Sequence, residues 1–226
     1  MTPQINSLID PIDQRLIVLN SVAELLKVEF DNQLILAQNA GADTKPYDVR
    51  VFESRYAPIG QLIDLTDQNK DLRTLINIQS INGNRNAGTA SALVGASFKC
   101  LYYIDIFGFA INKIQGSGQD LPDRRAFLNA DQTFSVVRKI ISSVYYQTLA
   151  CDPKLVSKRN HILNYEVLGS NQDENPTVSI HAIRLNLEVV VGEKQILNDG
   201  VPLQGMDYTI IRSETGEVLI YGTEDL

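Results

Sequence analysis

The sequence predicts an α+β fold: a mixed, mostly antiparallel sheet with two long helices packed on one of its faces, plus a C-terminal β-hairpin. Two observations favour this class. Two segments repeat apolar residues at spacings of three and four, which is typical of an amphipathic helix. The other segments are rich in β-forming residues, and they occur in two runs separated by the second helix.

The first helix is predicted to begin at Asp10 and Pro11, because Asp caps a helix well and Pro suits the first helical position. It is expected to end near Gln38, before a segment that contains Gly and Pro. The stripe expected to face the core consists of Leu16, Leu19, Val22, Leu26 and Phe30.

Three strands are predicted between the helices, at residues 47–57, 74–80 and 97–111. The third has mostly apolar side chains on both faces, which predicts a position in the centre of the sheet.

The second helix is predicted from a capping-box pattern, Asn129 followed by Gln132, and it should end before Asp152 and Pro153. Its buried face is expected to contain Phe134, Val137, Ile141, Val144 and Leu149.

Two further strands, residues 161–168 and 177–192, are predicted before a terminal hairpin with Thr215 and Gly216 near its turn. We therefore expect one α+β domain over residues 1–197 and a β-hairpin extension over residues 198–226.

The composition excludes several classes of protein. The chain has 226 residues, 44% hydrophobic and 21% charged, which is ordinary for a globular protein. Its net charge of −7 argues against a surface for nucleic-acid phosphates or anionic membranes. No apolar run approaches the ~20 residues that span a bilayer, and the N-terminus lacks the regions of a secretory signal. These features, with two unpaired cysteines, predict a soluble protein made in a cytoplasm.

No segment carries a complete catalytic, nucleotide-binding or metal-binding motif. The glycine-containing stretch at residues 81–95 leads into a strand and lacks the Lys and Ser or Thr of a P-loop. A calcium-like start at Asp67 is followed by Leu72 and Ile78 where Gly and Glu are required. The two histidines have no ligand spacing. We expect no catalytic residue, cofactor or metal.

Residues 81–95, INGNRNAGTASALVG, are predicted to form a long loop between two strands. Ordering each backbone residue costs ~1–2 kcal/mol, and only two side chains of the loop offer much apolar area in return. We therefore expect it to become ordered against a neighbouring subunit. The predicted interface residues are Asn82, Asn84, Arg85, Asn86, Leu93 and Val94 of this loop, with Arg124 and Arg125.

The order of elements resembles that of the tail terminator proteins of long-tailed bacteriophages. The resemblance covers the first two-thirds of the chain and rests on five segments: RLIVLNSVAELLKVEF, YDVRVFESRYA, TLINIQS, SFKCLYYIDIFGFAI and FSVVRKIISSVYYQTLA. It implies a non-enzymatic virion protein that forms a ring, expected to be a hexamer, at the head-proximal end of the tail tube. Such a ring ends tube growth and joins the tail to the head.

The resemblance also implies partners. These are further copies of the chain, the tail tube protein and a neck or head-completion protein, with the C-terminal hairpin available to a sheath protein. Genomic DNA would pass through the lumen without specific binding, and no membrane is involved. The protein would reside in the virion, and in the host cytoplasm during assembly.

Two alternatives stay open. One is another structural component of a phage neck or baseplate. The other is a small hydrolase that uses a Ser, a His and a carboxylate. The hydrolase would require His161 or His181 to lie within hydrogen-bond reach of a Ser and an acid in a cleft.

Overall fold

The computed structural model describes most of a five-stranded α+β unit and a separate pair of strands. The residues that it describes are 11–54, 73–85, 97–111, 122–153, 155–156, 161–170, 178–192, 206–211 and 218–224. The chain divides into two units, of which Ile12–Lys194 is the larger. The described part of the other unit is a two-stranded antiparallel sheet. The predicted α+β class is confirmed.

The main sheet has the strand order β1-β2-β3-β5-β4. Its strands are β1 (Val49–Glu53), β2 (Thr74–Arg85), β3 (Ser97–Ile111), β4 (His161–Ser170) and β5 (Val178–Gly192). β1 runs parallel to β2, and every other neighbouring pair is antiparallel. β3 lies in the centre, as its two apolar faces predict. The smaller sheet pairs β6 (Met206–Ile211) with β7 (Val218–Glu224).

The prediction that a loop begins at Ile81 is wrong. β2 continues past Ser80 to Arg85, and Asn82, Gly83 and Asn84 pair with Leu101, Cys100 and Lys99 of β3. A register shift between Ser80 and Asn82 marks a β-bulge, beyond which the two strands continue to pair. Pairing with a long central strand outweighs the low β-propensity of Asn and Gly.

Helix α1 (Gln14–Ala40) begins later than predicted. Its N-cap is Asp13, not Asp10, and the Asp13 carboxylate accepts a hydrogen bond of 2.8 Å from the backbone nitrogen of Arg15. The helix ends at Gly41, whose φ of 63° favours glycine. There the backbone nitrogens of Gly41 and Ala42 donate to the carbonyls of Gln38 and Ala37. These bonds supply hydrogen-bond donors to carbonyl groups at the end of the helix.

Helix α2 (Pro122–Ile141) begins seven residues before the predicted capping box. Pro122 occupies the first helical position and Asp123 the first turn, both favourable there. Asn129 therefore lies inside the helix, and its side-chain amide donates to the carbonyl of Phe109 at 2.9 Å.

The end of α2 also differs from the prediction. The helix stops at Ile141, and a short 3₁₀ helix, Val144–Tyr146, follows with Ser143 as its cap. Val144 is 73% exposed, so its expected place in the core is wrong, whereas Leu149 is buried as expected. The change of helical geometry after Ile141 turns Val144 outward.

Both helices pack on the same face of the main sheet, as predicted. α1 lies on β1 and β2, and α2 lies on β3 and β5. Leu16 at the start of α1 is an exception to its predicted stripe, since it is half exposed. The core on this face includes Leu19, Val22, Leu26 and Phe30 of α1, Phe134, Val137 and Ile141 of α2, and Ile76, Ile104, Ile106 and Leu185 of the sheet.

The backbone of α2 lies directly against β3 at Gly108. A Cβ atom built there would stand 2.2 Å from the carbonyl oxygen of Ala126 and 2.6 Å from the nitrogen of Ala130. Only glycine leaves room for this contact. The contact places the first half of α2 over the C-terminal end of β3 and the N-terminal end of β5.

Candidate interaction surfaces

The face of the sheet opposite the helices, here called the open face, carries a charged pair at its centre. Arg184 of β5 donates from Nε and Nη2 to the two carboxylate oxygens of Asp105 on β3, at 2.7 and 3.0 Å. The two residues are direct register partners. The guanidinium carbon lies 4.2 Å from the centre of the Tyr103 ring. The hydrogen bond to Asp105 raises the pKa of Arg184, so the guanidinium group stays charged.

Asn186, two residues further along β5, joins β4 to the open face. Its amide nitrogen donates to Glu166 at 3.0 Å and to the side-chain oxygen of Asn164. These two acceptors fix the orientation of the amide. The Asn186 side-chain oxygen is then buried without a hydrogen-bond partner.

Two cations of the open face, Arg184 and Lys99, are paired with carboxylates. Arg184 is held by Asp105, and Lys99 of β3 lies 3.0 Å from Glu188 of β5. Asp105 and Asn186 are nevertheless buried, and the same face carries a buried apolar cluster that includes Phe107, Phe109 and Ile180. Of the charged groups named here, Lys99 is the most exposed, and it is paired with Glu188. Phosphates bind instead to clustered and uncompensated Lys and Arg.

A Ser, a His and two acids meet where β5 contacts α2. Ser179 donates to Asp123 at 2.6 Å. His181, two residues on, packs edge-on against Phe127 with ring centres 4.9 Å apart. Burial lowers the pKa of His181, and the charge of Asp131 opposes that effect.

The hydrogen bonds described for this cluster are not those of a Ser-His-acid relay. The Ser179 hydroxyl already bonds to the acid, and the Nε2 atom of His181 is buried without a hydrogen-bond partner. A Ser-His-acid relay needs the imidazole between the hydroxyl and the carboxylate. The side chain of His161 lies outside the described residues.

The structure separates the predicted interface residues. Asn82, Asn84 and Arg85 lie at one end of the β2–β3 pair, although their side chains are outside the described part. Arg124 (exposed) and Arg125 (half-buried) lie in the first turns of α2. This part of α2 lies against Gly108, nine residues along β3 from Lys99, which is about 30 Å in a strand. Asn86, Leu93 and Val94 lie outside the described residues.

Two apolar surfaces that the sequence reasoning missed are exposed. The first, here called the outer α1 stripe, contains Ile17, Val28 and Ile35, which are 42%, 55% and 55% exposed. Their spacings of eleven and seven residues place them on one line along the helix. The signal was present in the sequence as a second apolar stripe opposite the predicted one.

The second surface is here called the β4 groove, formed by Tyr165 and Val167 of β4 and bordered by Phe127 and Phe134 of α2. Tyr165 is 58% and Val167 55% exposed, although both pair with β5 residues whose side chains enter the helix-side core. The rings of Phe134 and Tyr165 are 5.0 Å apart. Because α2 packs on β3 and β5, the helix side of β4 is left open at the edge of the sheet.

Within the part of the chain that the structure describes, no three His, Cys, Asp or Glu side chains are grouped to hold a metal ion. Neither of its helices combines the length and apolar character needed to cross a bilayer. No protein-family model matches the sequence, and no curated protein matches it.

Proposed function

We propose that this chain is a structural virion protein that forms a ring at the head-proximal end of a phage tail tube, ends tube growth and joins the tail to the head. The observation that carries the proposal is the order and placement of the elements. A long helix, a strand, an antiparallel pair, a second long helix and another antiparallel pair build one sheet with both helices on one face. This is the order on which the resemblance to tail terminator proteins rests.

The exposed apolar surfaces support a role in assembly. Monomeric proteins seldom expose contiguous apolar area without a function for it, and such surfaces mark interaction sites. Here the edge strand exposes Tyr165 and Val167, and the long helix α1 exposes a line of aliphatic residues interrupted by carboxylates. A ring subunit needs two different surfaces, one for each neighbour, because cyclic rings use heterologous contacts. Further contacts would serve the tail tube, neck and sheath proteins.

The charge of the chain supports passage of DNA without binding. The whole chain carries a net charge of −7, and Arg184 and Lys99 are each paired with a carboxylate. A lumen lined by a protein of this charge would leave phosphates free. The Ser179 hydroxyl donates directly to the Asp123 carboxylate, whereas the alternative of a hydrolase calls for an imidazole between hydroxyl and carboxylate.

Electron microscopy tests the proposal in two steps. The purified protein should form closed rings with a central channel wide enough for duplex DNA. In virions of a phage that encodes the chain, gold-labelled antibody should mark the junction between head and tail. Label at the baseplate would favour the alternative of another tail component. Label absent from virions would contradict the proposal.

A further inference from the structure

We propose that the outer α1 stripe of one copy of this chain docks into the β4 groove of a second copy, in a head-to-tail contact. The inference rests on the proposed function only in taking a second copy as the occupant. The two surfaces themselves are properties of the described residues.

The shape of the β4 groove suits the packing of a helix. Its floor is the helix side of β4, where Tyr165 and Val167 are more than half exposed. One wall is α2, with the Phe134 ring 5.0 Å from that of Tyr165. The remaining strands of the sheet are covered by α1 or α2 on this side. A third helix laid beside α2 would complete the layer.

The outer α1 stripe has the form of a helix that packs on two sides. The inner side of α1 is buried in the core through Val22, Leu26 and Phe30. The outer side presents Ile17 and Val28, with Ile35 on the same line. Large aliphatic residues on the outer side of a helix whose inner side is already buried are available to a partner.

Charge selects the head-to-tail pairing. The outer α1 stripe includes Glu24 and Asp31 between its aliphatic residues. The nearby Lys27 lies 3.0 Å from Glu53 of β1 and 3.9 Å from Glu24, so Asp31 is the carboxylate on which the charge argument mainly rests. The flank of α2 beside the β4 groove has exposed Arg124 and Arg138, with the exposed Asp131 between them, so positive charge is in excess there. Pairing two α1 stripes would oppose carboxylates, and pairing two grooves would oppose guanidinium groups. Stripe against groove joins opposite charges.

Disulfide trapping tests the contact. In a Cys151→Ser background, Val28→Cys and Val167→Cys variants are prepared separately and then mixed under mild oxidation; Cys100 is buried and can remain. A cross-linked dimer is expected from the mixture and not from either variant alone. A mixture of Val28→Cys with Val144→Cys, which places the second thiol at a residue that is 73% exposed, is the matched control.

Each outcome has a defined meaning. Cross-linking of Val28→Cys alone, of Val167→Cys alone, or of the control mixture as strongly as the test mixture overturns the inference. Absence of a cross-link in the test mixture also overturns it. If rings then still form and mark the head–tail junction, the proposed function survives through other surfaces. If the mixture cross-links and virions carry no label, the contact stands and the proposed function fails.

A charge exchange provides an independent test that does not depend on thiols. Asp31→Lys and Arg138→Glu should each shift sedimentation towards the monomer, and the double variant should recover the assembly. Circular dichroism checks that each variant folds. If both single variants sediment as the unmodified protein does, the role assigned to charge is refuted.

Discussion

Replacing Gly108 by Ala should destabilise the larger unit severely. The new Cβ would stand 2.2 Å from the Ala126 carbonyl oxygen, 2.6 Å from the Ala130 nitrogen and 3.0 Å from the Ala130 Cβ. Restoring even 3.0 Å requires α2 to retreat by about 0.8 Å at Ala126. Two of the three obstacles are backbone atoms, so no side-chain rotation relieves them.

The expected cost is about 3 kcal/mol, the upper part of the range for overpacked cores, because α2 must loosen its contacts with β3 and β5. In a unit of this size each kcal/mol lowers Tm by about 2–4 °C, so Tm should fall by about 6–12 °C. Urea denaturation followed by circular dichroism measures the free energy of unfolding directly.

Gly41→Ala is the matched control. No atom lies within 4 Å of a Cβ at Gly41, and only its φ of 63° opposes the change. It should cost about 1 kcal/mol. If Gly108→Ala costs no more than Gly41→Ala, the close approach of α2 to β3 is not as described, and the reasoning fails.

Three other perturbations have defined outcomes. Ile141→Ala should lower the free energy of unfolding by about 2–5 kcal/mol in urea denaturation, because Ile141 is fully buried. Val144→Ala should change it by less than about 0.5 kcal/mol. Equal costs of the two changes would refute the observed end of α2. Asp13→Ala should cost about 1 kcal/mol at pH 7. The hydrogen bond to Arg15 lowers the pKa of Asp13 below 3.8, so this difference should vanish as the pH falls through the lowered folded-state value, and a difference that persists at lower pH would contradict the assignment. Burial lowers the pKa of His181 from 6.5, so the folded state binds fewer protons than the unfolded state. The stability of the protein should therefore fall as the pH drops below about 6.5 towards that lowered value. His181→Gln should make Tm less dependent on pH in this range, and an unchanged dependence would exclude the histidine as its source.

The sequence predicts most of the elements because their periodicity reflects burial. The two apolar faces of β3 predict its central place, and the spacing of Leu19, Val22 and Leu26 predicts the inner side of α1. The parallel pairing of β1 with β2 is not predictable in this way, since periodicity does not report strand direction.

Element ends are less predictable, because local signals compete. Asn129 is a residue type that often caps a helix, but Pro122 and Asp123 are also favoured in the first turn, and the helix begins there. Asn82 and Asn84 disfavour a strand locally, yet β2 includes them because pairing with β3 compensates.

The candidate surfaces depend on contacts between residues far apart in the chain. Asp105 and Arg184 are 79 positions apart, and nothing in either segment marks the other as its partner. The exposure of Tyr165 and Val167 depends on where α2 lies over the sheet, which strand patterns do not specify. The sequence therefore indicates which residues can be buried, and only the packing decides which of them remain available to a partner.

The pairing of β3 with β5 has a mechanical consequence. Fifteen residue pairs, from Ser97 opposite Gly192 to Ile111 opposite Val178, follow each other without a register shift. A pull in opposite directions along these strands would load their hydrogen bonds in shear together. β2 and β4 on either side are interrupted by bulges, which bend and twist a strand. β3 and β5 therefore form the longest ladder of the main sheet without a register shift, and we expect tension along these two strands to be shared by all of their pairs.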